Sequence, residues 1–142
     1  MNQQAHTEYK SSYIIYENYK DWLSELDFIS DEISILEELI NSHFIELCSF
    51  DMFNKSKEVV RQIESNKIDL NVLKSDIYTQ LKYLSIFIEN SNTYGTEDFY
   101  AKHHDISEKK QSYMQSIKVL KKETYNLIKE ILIRNKQKKI DR

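Results

Sequence analysis

The sequence predicts an all-α chain, an elongated up-down-up antiparallel three-helix bundle of coiled-coil type, and three observations lead there. In 142 residues there is no proline and one glycine, Gly95. Proline presets φ and glycine supplies positive φ in tight turns, so a chain this poor in both cannot carry the turns of a β-rich or doubly wound α/β fold. Apolar residues recur at alternating steps of three and four, the signature of one buried helix face. That recurrence is interrupted in only two places, at Asp51 to Asn54 and around Gly95.

The first seam runs Ile15, Tyr19, Trp22, Leu26, Ile29, Ile33, Leu36, Ile40, His43, Leu47, Phe50 and predicts a helix over about 12–50. Asp51 or Asn54 then suits the N-cap of the next helix, because a short polar side chain there accepts a free backbone N–H. The second seam runs Val59, Ile63, Asn66, Leu70, Leu73, Ile77, Leu81, Leu84, Ile88 and predicts a helix over about 55–91. Its extra four-residue step from Ile77 to Leu81 reads as a stutter, which locally unwinds a supercoil. Asn90 to Thr96 reads as a loop, with Gly95 in a left-handed position and Thr96 as N-cap. The third seam, Phe99, His103, Ile106, Lys110, Tyr113, Ile117, Leu120, Thr124, Leu127, Ile131, predicts a helix over about 98–136. The polar ends, about 1–10 and 137–142, are expected to fray within a single domain spanning 1–142.

Charge is unevenly distributed. Residues 1–53 carry eleven acids and two bases, residues 54–101 seven and six, and residues 102–142 five and twelve, for a net −3. In an up-down-up bundle the first and third helices are parallel neighbours, so the acidic first helix is expected to complement the basic third one. The competing expectation is a basic surface for nucleic acid or an anionic membrane, carried by Lys121, Lys122, Lys129, Arg134, Lys136, Lys138 and Lys139. With a pI near 5.8, nucleic-acid binding is the less expected use. No apolar stretch approaches the roughly 20 residues that span a bilayer. No leader pattern is visible, and the single Cys48 has no intrachain partner, so a soluble, cytoplasmic protein is expected.

Polar residues on the seams are the candidates for chemistry. Matching levels across the predicted loops brings His43, Asn66 and Thr124 together as a buried polar layer that satisfies itself and specifies helix register. The same matching sets His103 beside Trp22 and Lys110 level with Asp27, Asp31 and Glu32. A metal site is the alternative at that end, with His103, His104 and Glu108 joined by Glu25 or Glu89. No Glu-x-x-His occurs, so the usual di-iron pattern of helical bundles is missing. Cys48 reads as a small core residue next to Leu47. Nothing in the sequence assembles a catalytic set, and no cofactor is expected. Beside the main seam of the first helix, Ile35, Leu39, Phe44, Ile45, Met52 and Phe53 form a second apolar strip that fits self-association or a partner protein. The expected function is therefore a non-catalytic scaffold, adaptor or homo-oligomer, with metal binding and basic-surface binding as the alternatives.

Overall fold

A computed structural model describes residues 2–49, 51–90 and 96–141, with side chains described over 12–49, 51–86 and 98–141. Every regular element among them is α-helical: α1 (Asn2–Ser42), α2 (Phe44–Leu47), α3 (Phe53–Asn90) and α4 (Thr96–Ile140). The predicted first helix is thus broken. At His43 the backbone adopts φ −116° and ψ 23°, its N–H reaches the Ile40 carbonyl at 3.2 Å, and α2 restarts from the His43 carbonyl. No residue near His43 is a helix breaker by type, which is why periodicity carried the prediction through to residue 50. Beyond the break Leu47 is buried, as its seam position predicts, while Cys48 is exposed, the opposite of a core cysteine. At the other ends the helices exceed expectation: α1 begins at Asn2 and α4 continues to Ile140. The expected loop glycine and Phe50 lie outside the described residues, as does the Thr96 side chain.

The helices contribute to two compact units, Met1–Phe28 with Leu70–Gln111, and Ile29–Asp69 with Ser112–Arg142. In the first unit Ile15, Tyr19 and Leu26 of α1, Leu70, Leu73, Ile77 and Leu84 of α3, and Ile106 of α4 are buried. The buried face of α3 reads Leu73, Ile77, Gln80, Leu84, steps of four, three and four. The stutter expected at Leu81 is therefore absent: Leu81 is only half-buried and a polar residue takes the core position. Ion pairs flank this core, with Lys74 to Asp27 at 2.7 Å and Lys110 to Glu25 at 3.0 Å. Lys110 was expected to reach Asp27, Asp31 or Glu32, and it pairs instead with an acid less than one turn before the first of them.

In the second unit Ile33, Leu36 and Ile40 of α1, Val59 and Ile63 of α3, and Ile117, Leu120, Leu127 and Ile131 of α4 are buried. Met52, assigned by sequence to the exposed strip, is 1% exposed and belongs to this core. Its carbonyl accepts the Ser56 backbone N–H at 3.0 Å and the Ser56 hydroxyl at 2.8 Å. Neither expected cap residue caps α3: Asn54 lies inside the helix, and the Asp51 carboxylate takes the Ser49 hydroxyl at 3.1 Å and Arg134 at 2.6 Å. Lys67 to Glu37 at 3.1 Å and Lys121 to Glu32 at 2.6 Å tie α1 to both neighbours.

The burial pattern sets the expected cost of truncation. Ile77→Ala in the first unit and Leu120→Ala in the second, both 0% exposed, should each lose about 2–5 kcal/mol in urea denaturation. Ile68→Ala, at a side chain that is 64% exposed, should stay within about 0.5 kcal/mol.

Candidate functional site

The densest arrangement of polar and aromatic groups lies in the first unit, around His103. The heptad seam of α1 buries Tyr19 completely, and its hydroxyl donates to His103 Nδ1 at 2.6 Å. The buried Gln80 side chain of α3 donates from Nε2 to the Phe99 carbonyl at 3.3 Å. Tyr19 thus ties α1 to α4, and Gln80 ties α3 to α4. The imidazole lies nearly parallel to Trp22, 5.8 Å between centroids, and to Phe99, 6.3 Å, while Tyr19 meets it edge-on at 5.2 Å. Lys110 Nζ sits 5.0 Å over the Trp22 ring, where the quadrupole attracts a cation, and its charge is shared with Glu25.

Burial decides the protonation states. It pushes the Tyr19 phenol up to about 12, against a smaller opposing effect of the Gln80 side chain, so the phenol keeps its proton and acts as donor. Burial also lowers the His103 pKa, helped by the neighbouring His104 charge, so the imidazole is held neutral, and its Nε2–H tautomer is the one that lets Nδ1 accept from the phenol. A phenol donating to a neutral imidazole is a stable hydrogen bond.

The proposed metal ligands are engaged separately. His103 is bonded to Tyr19, Glu25 to Lys110, and His104 Nε2 pairs with Glu108 at 3.1 Å on an exposed face. No group of three or more His, Cys, Asp or Glu side chains forms a cation-binding cluster among the described residues, and the Glu89 side chain lies outside them.

The three residues of the expected polar layer do not satisfy one another. Thr124 returns its hydroxyl to the Leu120 carbonyl of its own helix at 2.8 Å, and His43 stands at the break between α1 and α2. Asn66 donates to the Gln62 carbonyl at 2.7 Å and accepts from Ser116 at 3.1 Å, while the Tyr113 hydroxyl donates to its backbone carbonyl at 3.1 Å. Its partners on α4 are eight to eleven residues short of Thr124, about 12–16 Å along a helix. Loop lengths estimated from sequence misplaced the level by that amount. Burial pushes the Tyr113 phenol above the usual range, with the Asp69 charge adding to it.

Of the basic residues, Lys121 and Arg134 are consumed by Glu32, Asp51 and Glu130. Lys122, Lys129, Lys136, Lys138 and Lys139 remain exposed with no ion pair among the described residues. The strip from Ile35 to Phe53 is also divided: Ile35, Phe44, Ile45 and Phe53 are exposed, Leu39 is half-buried and Met52 is core. Sequence reasoning missed Gln80, whose neighbour Leu81 is the better apolar match to the seam.

The buried hydrogen bonds should show in stability. Tyr19→Phe leaves His103 Nδ1 without its partner and should cost about 1–3 kcal/mol, whereas the pair with His103→Phe added should cost less than the two single changes together. Because the folded His103 pKa lies below its ordinary 6.5, protonation favours the unfolded chain. Stability is complete above that value and declines as pH falls below it. The melting temperature should therefore drop between pH 7 and 5, and His103→Phe should flatten that step.

Compared with protein-family models, curated proteins and solved structures, the chain matches none.

Proposed function

We propose that the chain is a non-catalytic, cytoplasmic helical bundle that acts by protein contact, as a scaffold, an adaptor or an assembly of its own copies. The observation that carries this reading is the exposure of large apolar side chains around α2. Ile45 is 85% exposed and Phe44 62%, and Ile35 and Phe53 extend the apolar surface on the flanking helices. A four-residue helix that presents Phe and Ile to solvent gives up hydrophobic stabilisation that a partner surface would restore, at roughly 25 cal/mol per Å² covered.

An up-down-up, coiled-coil-like course of the three long helices is part of the reading. It is supported by the order of the cross-helix pairs inside each unit: rising numbers on α1 meet rising numbers on α4, as Tyr19 with His103 and then Glu25 with Lys110. Falling numbers on α3 meet rising numbers on α4, as Gln80 with Phe99 and then Asp76 with Lys109. A cytoplasmic setting suits a free, exposed Cys48, which a reducing compartment keeps as a thiol. No helix of the described residues is long and apolar enough to cross a membrane.

Self-association is the form of contact that can be tested without a known partner. Sedimentation velocity from micromolar to millimolar protein should show a concentration-dependent assembly, and Phe44→Ser with Ile45→Ser should shift it to monomer with an unchanged helical circular-dichroism spectrum. A strict monomer that captures no partner in solution would remove the reading.

A further inference from the structure

Four of the α4 bases that no acid claims, Lys118, Lys122, Lys129 and Lys136, fall into a pattern. From Lys118 the steps four, three, four, three and four lead through Lys122, Tyr125, Lys129 and Leu132 to Lys136, and at about 100° per residue all six share one face of the helix. Each of the six is exposed, Tyr125 by 49% and Leu132 by 54%. One further step reaches Ile140, 67% exposed, and Ile133 flanks the stripe at 59%. The two acids of this stretch, Glu123 and Glu130, point about 120–140° away. No lysine of the stripe has an ion pair among the described residues. The stripe thus alternates unspent positive charge with large apolar side chains, all within the second unit.

We infer that this face of α4 docks on an anionic lipid bilayer, lying in the plane of the headgroups. Each group on the stripe has a use there. Lysines reach the phosphate and carboxylate layer while their methylene stems cover apolar surface, and Leu132, Ile133 and Ile140 sink to the acyl boundary with Tyr125 at the interface. A nucleic-acid backbone offers nothing to those aliphatic side chains. The one arginine of this segment with a described side chain, Arg134, would grip a phosphate bidentately, but it is already held by Asp51 and Glu130. The overall charge of −3 does not oppose docking, because beyond a Debye length of about 8 Å the acids elsewhere are screened, and residues 102–142 are strongly basic. The stripe includes neither Phe44 nor Ile45, so the lipid reading and the contact reading are tested by different substitutions.

The test is co-sedimentation of the full chain with vesicles of phosphatidylcholine alone or mixed with phosphatidylserine. Binding is expected to the mixed vesicles only and to weaken with salt. With each interfacial lysine contributing about fivefold, Lys122→Glu with Lys129→Glu should lower partitioning by at least about 25-fold. Leu132→Ser with Ile140→Ser should lower it at unchanged charge, and Phe44→Ser with Ile45→Ser should leave it as it was. Equal partitioning of the parent and the charge-reversed variant would overturn the inference. So would indifference to the Leu132 and Ile140 changes, or retention on a DNA duplex without binding to vesicles.

Discussion

A polar atom buried between helices must find a partner, and that requirement holds each unit in register. Apolar seams alone tolerate sliding, since one leucine layer resembles the next. Gln80 cannot slide relative to Phe99, Tyr19 relative to His103, or Asn66 relative to Ser116, without leaving polar groups unpaired at about 1–3 kcal/mol each. Among the described residues no buried side-chain nitrogen or oxygen lacks a partner. The surrounding ion pairs follow from that register. Most are half-exposed and worth at most about 1 kcal/mol apiece, so they select which helix meets which more than they stabilise the pairing.

How much of this was legible in the sequence depended on distance along the chain. Periodicity reports the local environment of a residue, so the buried faces of the long helices and the two interruptions were visible. The break at His43 was not, because it is made by backbone geometry that no residue type there demands. Gln80 shows a different obscurity. By composition Leu81 is the core residue, yet spacing favours position 80, and the amide is tolerated there because a carbonyl on α4 lies within reach. Such a partner, 19 positions away, leaves no local trace. The level of Asn66 was misjudged for the same reason, since it depends on how far the chain travels between α3 and α4. The stacking of His103 on Trp22, by contrast, followed from matching levels in the first unit.

Charge segregation has two consequences that composition merges. The acids of α1 are spent partly on Lys74, Lys67, Lys110 and Lys121, which accounts for the pairing of a negative first helix with positive neighbours. What remains on α4 is a surplus on its outward side. Sequence treats Lys121 and Lys122 as one basic run, but 100° of helix rotation gives one to Glu32 and the other to solvent.

The cross-helix hydrogen bonds also bear on the order of assembly. Tyr19 and His103 are 84 residues apart and Lys121 and Glu32 are 89, whereas Gln80 and Phe99 are 19 apart. Closing the longer separation costs about 1.3 kcal/mol more in chain entropy, whereas Lys67 and Glu37, 30 residues apart, cost only about 0.4 kcal/mol more than Gln80 and Phe99, so contacts of α3 with either neighbour are cheaper to close than those of α1 with α4. With no proline in the sequence, none of these closures waits on prolyl isomerisation.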